Sequence, residues 1–401
     1  MPAVDRRRIT LRVDKVVAGG DGLGREDTGR VVLVTGALPG ELVVAEIDRE
    51  RRDVAFARTV EVIEPTAARR TPPCPAVERG CGGCGWQHVE VDAQRELKRQ
   101  IVVEALERTG RIADPAVTVA PALPDERYRT TVRLAVDAEG RVGFRAARRH
   151  DVVAVTDCLV AHPLLSELLG RLRLPAGEEI VLRVGAATAE RAAWWTPAQL
   201  ARPASLPDDV QTGRRGHVHE VVGGRRLRVG NGAFFQPSRE AAEAIVDAVR
   251  RSAGPARDWP AGAVVDAYGG VGLFAATVVP ADRPVVVVES AAPACADAAV
   301  NLAGHRAEVV NRQVESWQPC PAALVIADPA RAGLGRQAAQ RLAATGTPLL
   351  VLVSCDPVSL ARDAGLLREH GYRLAGAEVI DTFPNTTHVE VVSRFERVGA
   401  G

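Results

Sequence analysis

Lysine is nearly missing from this 401-residue chain: among 51 basic residues, only Lys15 and Lys98 are not arginine. One source is a base composition that replaces lysine by arginine everywhere. The chemical consequence is a set of planar forks that fit phosphate in a way lysine does not. Also missing is any apolar run near the ~20 residues a membrane helix needs. The basic start MPAVDRRRITLRVDK is followed by no apolar leader core, so the expectation is a cytoplasmic protein without a membrane partner. Net charge is small, at +1. Yet arginines cluster at Arg6-Arg7-Arg8, Arg51-Arg52, Arg69-Arg70, Arg148-Arg149, Arg214-Arg215 and Arg225-Arg226. All of these groups lie in the first 230 residues, which points to nucleic-acid contact there. Repeats and low-complexity segments are absent, and so is an even cysteine count. Seven cysteines without a leader argue against a disulfide framework and leave metal binding and catalysis.

What is present is a soluble composition, 46% hydrophobic and 25% charged, on a chain long enough for two or three domains. Residues 1–63 read as short alternating strands broken by GGDGLG and ALPG, the pattern of a small antiparallel barrel. EPTAARRTPP reads as a linker, and the cysteine-rich CPAVERGCGGCGWQH follows it. Apolar residues at helical spacing, from Leu97 to Leu106, give a helix over 90–110 that can pack on the last domain. The rest of 64–230 is mixed and strand-rich, an α+β central domain. Over 231–401, helices alternate with near-continuous Val/Leu/Ile strands, hence a mostly parallel sheet covered on both faces.

Within that last domain VVDAYGGVGLFAA reads as strand, glycine turn and helix, and Glu289 ends the next strand, where it can accept from both ribose hydroxyls of a nucleoside cofactor. The local pattern suits a dinucleotide or S-adenosylmethionine. Three later strands end in reactive groups: Asp328 and Arg331 in ADPARAG, Cys355 in LVSCDP, and His388 and Glu390 in NTTHVEVV. Strands adjacent in such a sheet place their ends on one crevice.

In FFQPS, DAYGGVGLF, DPARAG, VSCDPVSLARD and DTFPNTTHVEVV, taken in this order and spacing, the chain resembles the S-adenosylmethionine-dependent RNA uracil-5-methyltransferases. Its first segment resembles the TRAM domain often attached to them. The resemblance implies an α/β protein: a Rossmann-like doubly wound methyltransferase domain behind an OB-like TRAM β-barrel and an α+β central domain. It implies Cys355 as the nucleophile that adds to carbon 6 of uracil, making carbon 5 able to attack a methyl group. Glu390 is then the base that removes the carbon 5 proton. Gln236, Tyr268, Leu273, Glu289, Gln313 and Asp328 fall at cofactor positions. Departures from the family pattern are Asp356 after the cysteine, the doubled Gly269-Gly270 and Ala330. Asp356 would raise the pKa of Cys355 unless a helix N-terminus after Pro357 offsets it.

Cys74, Cys81 and Cys84 form C-x6-C-x2-C, with Cys158 distant. Four thiolates suit zinc or an iron-sulfur cluster; the resemblance implies [4Fe-4S], with zinc as the alternative. Cys295 and Cys320 read as packing residues. The implied partner is RNA, ribosomal ahead of transfer RNA, and the expected state is a monomer. Two other classes compete: an NAD-dependent oxidoreductase using the glycine loop and Cys355, and a non-catalytic RNA-binding protein on the same fold.

Overall fold

Alternation closes the first part of the chain on itself. In β1 (Arg8–Val16) Leu11, Val13 and Val16 are buried and Arg12 and Asp14 face out. With β2 (Gly22–Arg25), β3 (Val31–Thr35), β4 (Leu42–Glu50) and β5 (Val54–Glu64) it forms a closed barrel in the order β1-β2-β3-β5-β4. The structure, a computed structural model, describes residues 7–196, 201–213 and 215–399. Arg6 and Arg214, from the arginine groups, lie outside the described residues.

After the short helix α1 (Pro75–Glu78) comes α2 (Val91–Arg108), whose buried face serves two cores. Leu97 and Ile101 pack with Trp86, Val16 and Leu38 at the junction with the barrel. Val102, Ala105 and Leu106 pack on the large C-terminal sheet. The next strand, β6 (Val117–Val119), is the edge strand of that same sheet. A second sheet follows from β7 (Thr131–Val136), β8 (Val142–Arg145), β9 (Val152–Ala154), β10 (Glu179–Val184), β11 (Arg191–Thr196) and β12 (Val210–Thr212), covered by α3 (Pro163–Leu169). The hairpin β13 (His217–Val222) and β14 (Arg225–Gly230) leads out of it.

The large sheet is built from β15 (Ala263–Ala267), β16 (Val285–Glu289), β17 (Ala307–Asn311), β18 (Ala322–Ala327), β19 (Leu349–Ser354), β20 (Tyr372–Ile380) and β21 (Glu390–Arg397), with β6 added at the edge. Its order is β17-β16-β15-β18-β19-β21-β20-β6. Strands β15 to β19 are parallel, and β21 runs antiparallel to both neighbours. Helix α4 (Arg239–Ala253) and the hairpin cover one face. Helices α7 (Gly335–Ala343) and α8 (Pro357–Glu369) cover the other beside α2, while α5 (Leu273–Thr277) and α6 (Ala292–Asn301) connect the first strands. The chain reverses direction across the sheet between β15 and β18, the place where such sheets open a crevice. No described helix is long and apolar enough to cross a membrane.

The arginine groups are less free than their spacing suggests. Arg7 bonds Glu26 and Glu50, Arg148 bonds Asp21, and Arg226 bonds Glu190. Arg69 is locked 2.5 Å from Glu41, whose side chain is fully buried, and Arg70 donates to Asn385 at 2.7 Å. The Arg69-Arg70 pair is therefore spent on tertiary structure, because burying carboxylates such as Glu41 requires a cation beside them.

Candidate active site

The crevice at the strand ends is a cavity of about 610 Å³, a size suited to a small-molecule cofactor. Its floor is the loop after β15. Gly269 is demanded by crowding: a Cβ there would lie 2.6 Å from Val287 Cγ1 and 3.1 Å from the Asp266 carboxyl carbon. Gly272 caps α5 at φ +83, open to glycine at no cost. Tyr268 holds φ +59, rare for a bulky residue; its hydroxyl donates to Glu315 at 3.1 Å. Glu289 reaches the same loop, accepting from the Gly270 N–H at 3.0 Å and the Ala291 N–H at 2.6 Å. Asp266 is fully buried and accepts from the Ala275 N–H at 2.9 Å, while its other oxygen has no partner. Burial, then Glu289, pushes its carboxyl up to about 7.

Opposite this floor stand the reactive groups. Pairing of β19 with β21 ends at Ser354 with Val391. One residue further in that register, Cys355 stands across from Glu390, so both side chains project on one side. Both line the cavity, together with Asp328 from the end of β18. Burial pushes the Cys355 thiol up to about 11, with Glu390 and Asp328 adding to it and Arg331 opposing. Glu390 is held well above the ordinary carboxylate range by burial and by Asp328. Asp328 is pushed up to about 7 by burial and by Asp266. A thiol, two buried carboxyls with raised pKa values and one guanidinium thus share a wall, the composition of a site that moves protons.

Asp356, the awkward neighbour in the sequence, is engaged by the helix that follows it. It is the N-cap of α8 and accepts from the Ser359 N–H at 2.7 Å. Ser359 in turn donates from its hydroxyl to the Arg331 carbonyl at 2.7 Å. The Arg331 guanidinium lies 3.1 Å from His388 Nδ1, and His388 stacks edge-on to Phe383 at 5.5 Å. Burial, then Arg331, lowers the His388 pKa to about 4, leaving the imidazole neutral and able to accept from Arg331.

Gln236, Tyr268, Leu273, Glu289, Asp328, Cys355 and Glu390 all line this one cavity. Gln313 stands apart: it is exposed and opens the turn Val314–Ser316, where its carbonyl accepts from the Ser316 N–H. Two residues on, Glu315 makes the contact to Tyr268 that the sequence reading did not assign. Also unassigned were Phe234, 70% exposed on the cavity lining, and Phe383. FFQPS carried a signal for Phe234, an apolar side chain two residues before Gln236. Nothing local marked Glu315.

A second, smaller cavity is lined by Cys74, Cys81, Cys84 and Cys158, with Phe144, Val155 and Arg129 beside them. Four cysteines from two distant segments thus converge, and burial pushes the Cys84 thiol up to about 11. Among the described residues, no group of three or more His, Cys, Asp or Glu is arranged to hold a metal ion. Cys295 is buried on α6 and donates to the Glu289 carbonyl at 3.3 Å; Cys320 packs at the edge of the core.

Known proteins share this fold. Residues 4–60 match the TRAM domain family. The crystal structure of Pyrococcus abyssi tRNA (uracil-54, C5)-methyltransferase in complex with S-adenosyl-L-homocysteine has the same fold, with a TM-score of 0.73 at 23% identity over 96% of this chain and 100% of that one. An uncharacterized RNA methyltransferase of Streptomyces coelicolor is 35% identical over 98% of this chain and 93% of its own length. The 23S rRNA (uracil(1939)-C(5))-methyltransferase of Halomonas elongata is 31% identical over 96% of this chain and 88% of its own. With such identity to these last two along nearly its full length, behind a TRAM barrel and around one strand-end cavity, the protein belongs to the RNA methyltransferase family.

Proposed function

We propose that the protein transfers a methyl group from S-adenosylmethionine to carbon 5 of a uridine in RNA through a covalent adduct between Cys355 and carbon 6. The observation that carries this is the register of β19 and β21, which sets a thiol across from a buried carboxyl in a cavity shared with the glycine loop and Glu289. The uracil-C5 activity of the Halomonas elongata relative supports the same reading, and its 23S rRNA substrate favours ribosomal over transfer RNA.

Bound in this cavity, S-adenosylmethionine supplies an electrophilic methyl group. The chain's residues do the rest. Glu289 has an acceptor carboxylate for the ribose, while Gln236, Tyr268 and Leu273 wall the site beside it. Cys355 gives its proton to solvent and adds as thiolate to carbon 6, which makes carbon 5 nucleophilic. After methylation Glu390 takes the carbon 5 proton, the carbon–sulfur bond breaks, and the thiolate leaves. Asp328, adjacent to both, tunes the two groups through its charge. A uridine has to leave its stack to reach Cys355. We assign the barrel (1–63) and the central segment (64–230) to holding the RNA backbone while it does, and 231–401 to the chemistry.

The test uses RNA carrying 5-fluorouridine, from which no carbon 5 proton can be removed. The wild-type protein with S-adenosylmethionine should form a stable covalent complex, and Cys355→Ala should not. Glu390→Gln should accumulate an adduct on ordinary RNA. A wild type without adduct, or an adduct in Cys355→Ala, rules the mechanism out.

Cys74, Cys81, Cys84 and Cys158 would hold a [4Fe-4S] cluster, a structural element of the RNA-holding half, since methyl transfer needs no redox step. The four thiols around one cavity support this. A single zinc ion would draw all four sulfurs to ~2.3 Å of one centre, whereas a cubane spreads its thiolates over its corners. Protein purified without oxygen should contain about four irons and four sulfides per chain, all lost in Cys84→Ser. One zinc and no iron is the contrary result.

A further inference from the structure

The loop between β20 and β21 carries Phe383 and His388 into the cavity wall and delivers the chain to Glu390. Its polar groups are answered largely from outside the layer it belongs to. Lys98 of α2, fully buried, pairs with Asp381 at 2.5 Å and donates to the Phe383 carbonyl at 3.2 Å. The Tyr128 hydroxyl donates to the Pro384 carbonyl at 3.2 Å. Thr387 packs on the barrel so closely that a Cβ on Gly20 would lie 2.2 Å from its Cγ2.

Asn385 is the centre of these contacts. Its N–H donates to Gln94 Oε1 at 2.7 Å, and its carbonyl accepts from the Trp86 N–H at 2.9 Å. Its Oδ1 accepts from Arg70 at 2.7 Å and from Gln94 Nε2 at 3.3 Å, while its Nδ2 donates to the Asp125 carbonyl at 3.0 Å. One fully buried side chain therefore joins the linker, helix α2 and the chain beyond α2. Its φ of +67 lies in the left-handed region, which surrounding contacts have to sustain.

We infer that Asn385 is a positioning residue: by tying this loop to Arg70, Gln94 and Asp125 it sets where Glu390 stands relative to Cys355. The inference rests on Cys355 as nucleophile and Glu390 as base. Cys355 lies between the end of β19 and the start of α8, outside the loop. Glu390 is the first residue of β21, directly downstream of the loop, and a misplacement of ~1 Å costs a reacting group about 100-fold. Loss of the Asn385 contacts should therefore slow proton removal more than adduct formation, so adduct accumulates. Cofactor contacts on β15 and β16 stay intact.

The clean variant is Asn385→Gly, which keeps the left-handed backbone without strain and deletes only the side-chain contacts. Turnover on uridine RNA, the share of protein in covalent complex, and S-adenosylhomocysteine affinity are measured together. Turnover should fall at least about tenfold, the covalent share should rise, and affinity should stay within about twofold. Gln94→Leu removes contacts from the α2 side and should give the same split. Asn385→Asp keeps the acceptor for Arg70 and should recover part of the rate. Unchanged turnover overturns the inference, as does a parallel fall of turnover and adduct formation. Failure of both Asn385→Gly and Gln94→Leu to fold also overturns it, by making the contacts a condition of folding. A wild type that forms no complex with 5-fluorouridine RNA instead removes the reading of Cys355 and Glu390, before any variant is compared.

Discussion

Burial contributes most to keeping Cys355 in its thiol form, and the nearby charges then work in opposite directions: Glu390 and Asp328 raise its pKa, and Arg331 lowers it. The sign follows from charge alone, since a carboxylate disfavours a neighbouring thiolate and a cation favours it. Only the thiolate is nucleophilic. Alkylation of Cys355 by iodoacetamide, followed on its own peptide by mass spectrometry, should climb about tenfold per pH unit toward a midpoint near 11. At pH 9, Glu390→Gln should react faster than wild type and Arg331→Met slower. Equal rates in all three would mean that these groups do not share the wall of one cavity. The glycine loop shows the same sensitivity to single atoms, since Gly269 has no room for a methyl group against Val287 and Asp266.

Helix α8 shows how an element resolves a conflict that its residues pose in isolation. Asp356 beside a nucleophilic cysteine looks unfavourable, but the helix beginning at Pro357 needs an acceptor for its first free N–H groups, and Asp356 supplies it. The same first turn fixes the Arg331 carbonyl through Ser359. Asp356→Ala should lower unfolding stability in urea by about 1 kcal/mol, and Asp356→Asn by much less, because asparagine caps about as well. A smaller loss in Asp356→Ala than in Asp356→Asn would deny the capping role. Strand β21 is the other decisive element. Its antiparallel insertion between β19 and β20 turns two residues 35 positions apart into cross-strand neighbours.

At the scale of the molecule, the barrel is seated on the loop between β20 and β21 rather than hung from a free linker. The Trp86 indole donates to the Gly20 carbonyl at 3.2 Å, and Gly20, at φ +88, lies against Thr387. Lys15 reaches Glu104 on α2, and Arg69 neutralises Glu41 from the linker side. Gly20→Val would drive a side chain into Thr387 and the Trp86 indole and would also force a β-branched residue into a left-handed backbone. We expect a loss of a few kcal/mol, about 1–3 from overpacking alone, read as a lower thermal midpoint. Turnover should fall with it although Gly20 lies outside the cavity. A variant with a wild-type midpoint would mean that the barrel is not seated there.

Sequence by itself determined the succession of strands and helices, the glycine loop after β15, and the reactive groups at three strand ends. Each is a local pattern: apolar periodicity, turn chemistry or a short motif. It also determined that four cysteines were to be read together, although their convergence on one cavity is a tertiary fact. Only the tertiary structure decided that β6 joins the large sheet, that Arg69-Arg70 are internal, and that Glu315 meets Tyr268. It alone set the arm bearing Glu390 on contacts from Arg70, Gln94, Lys98 and Asp125. These are pairings of buried charge and hydrogen-bond partners across hundreds of residues. A buried polar group must find a partner somewhere, but nothing in its own stretch of chain says where.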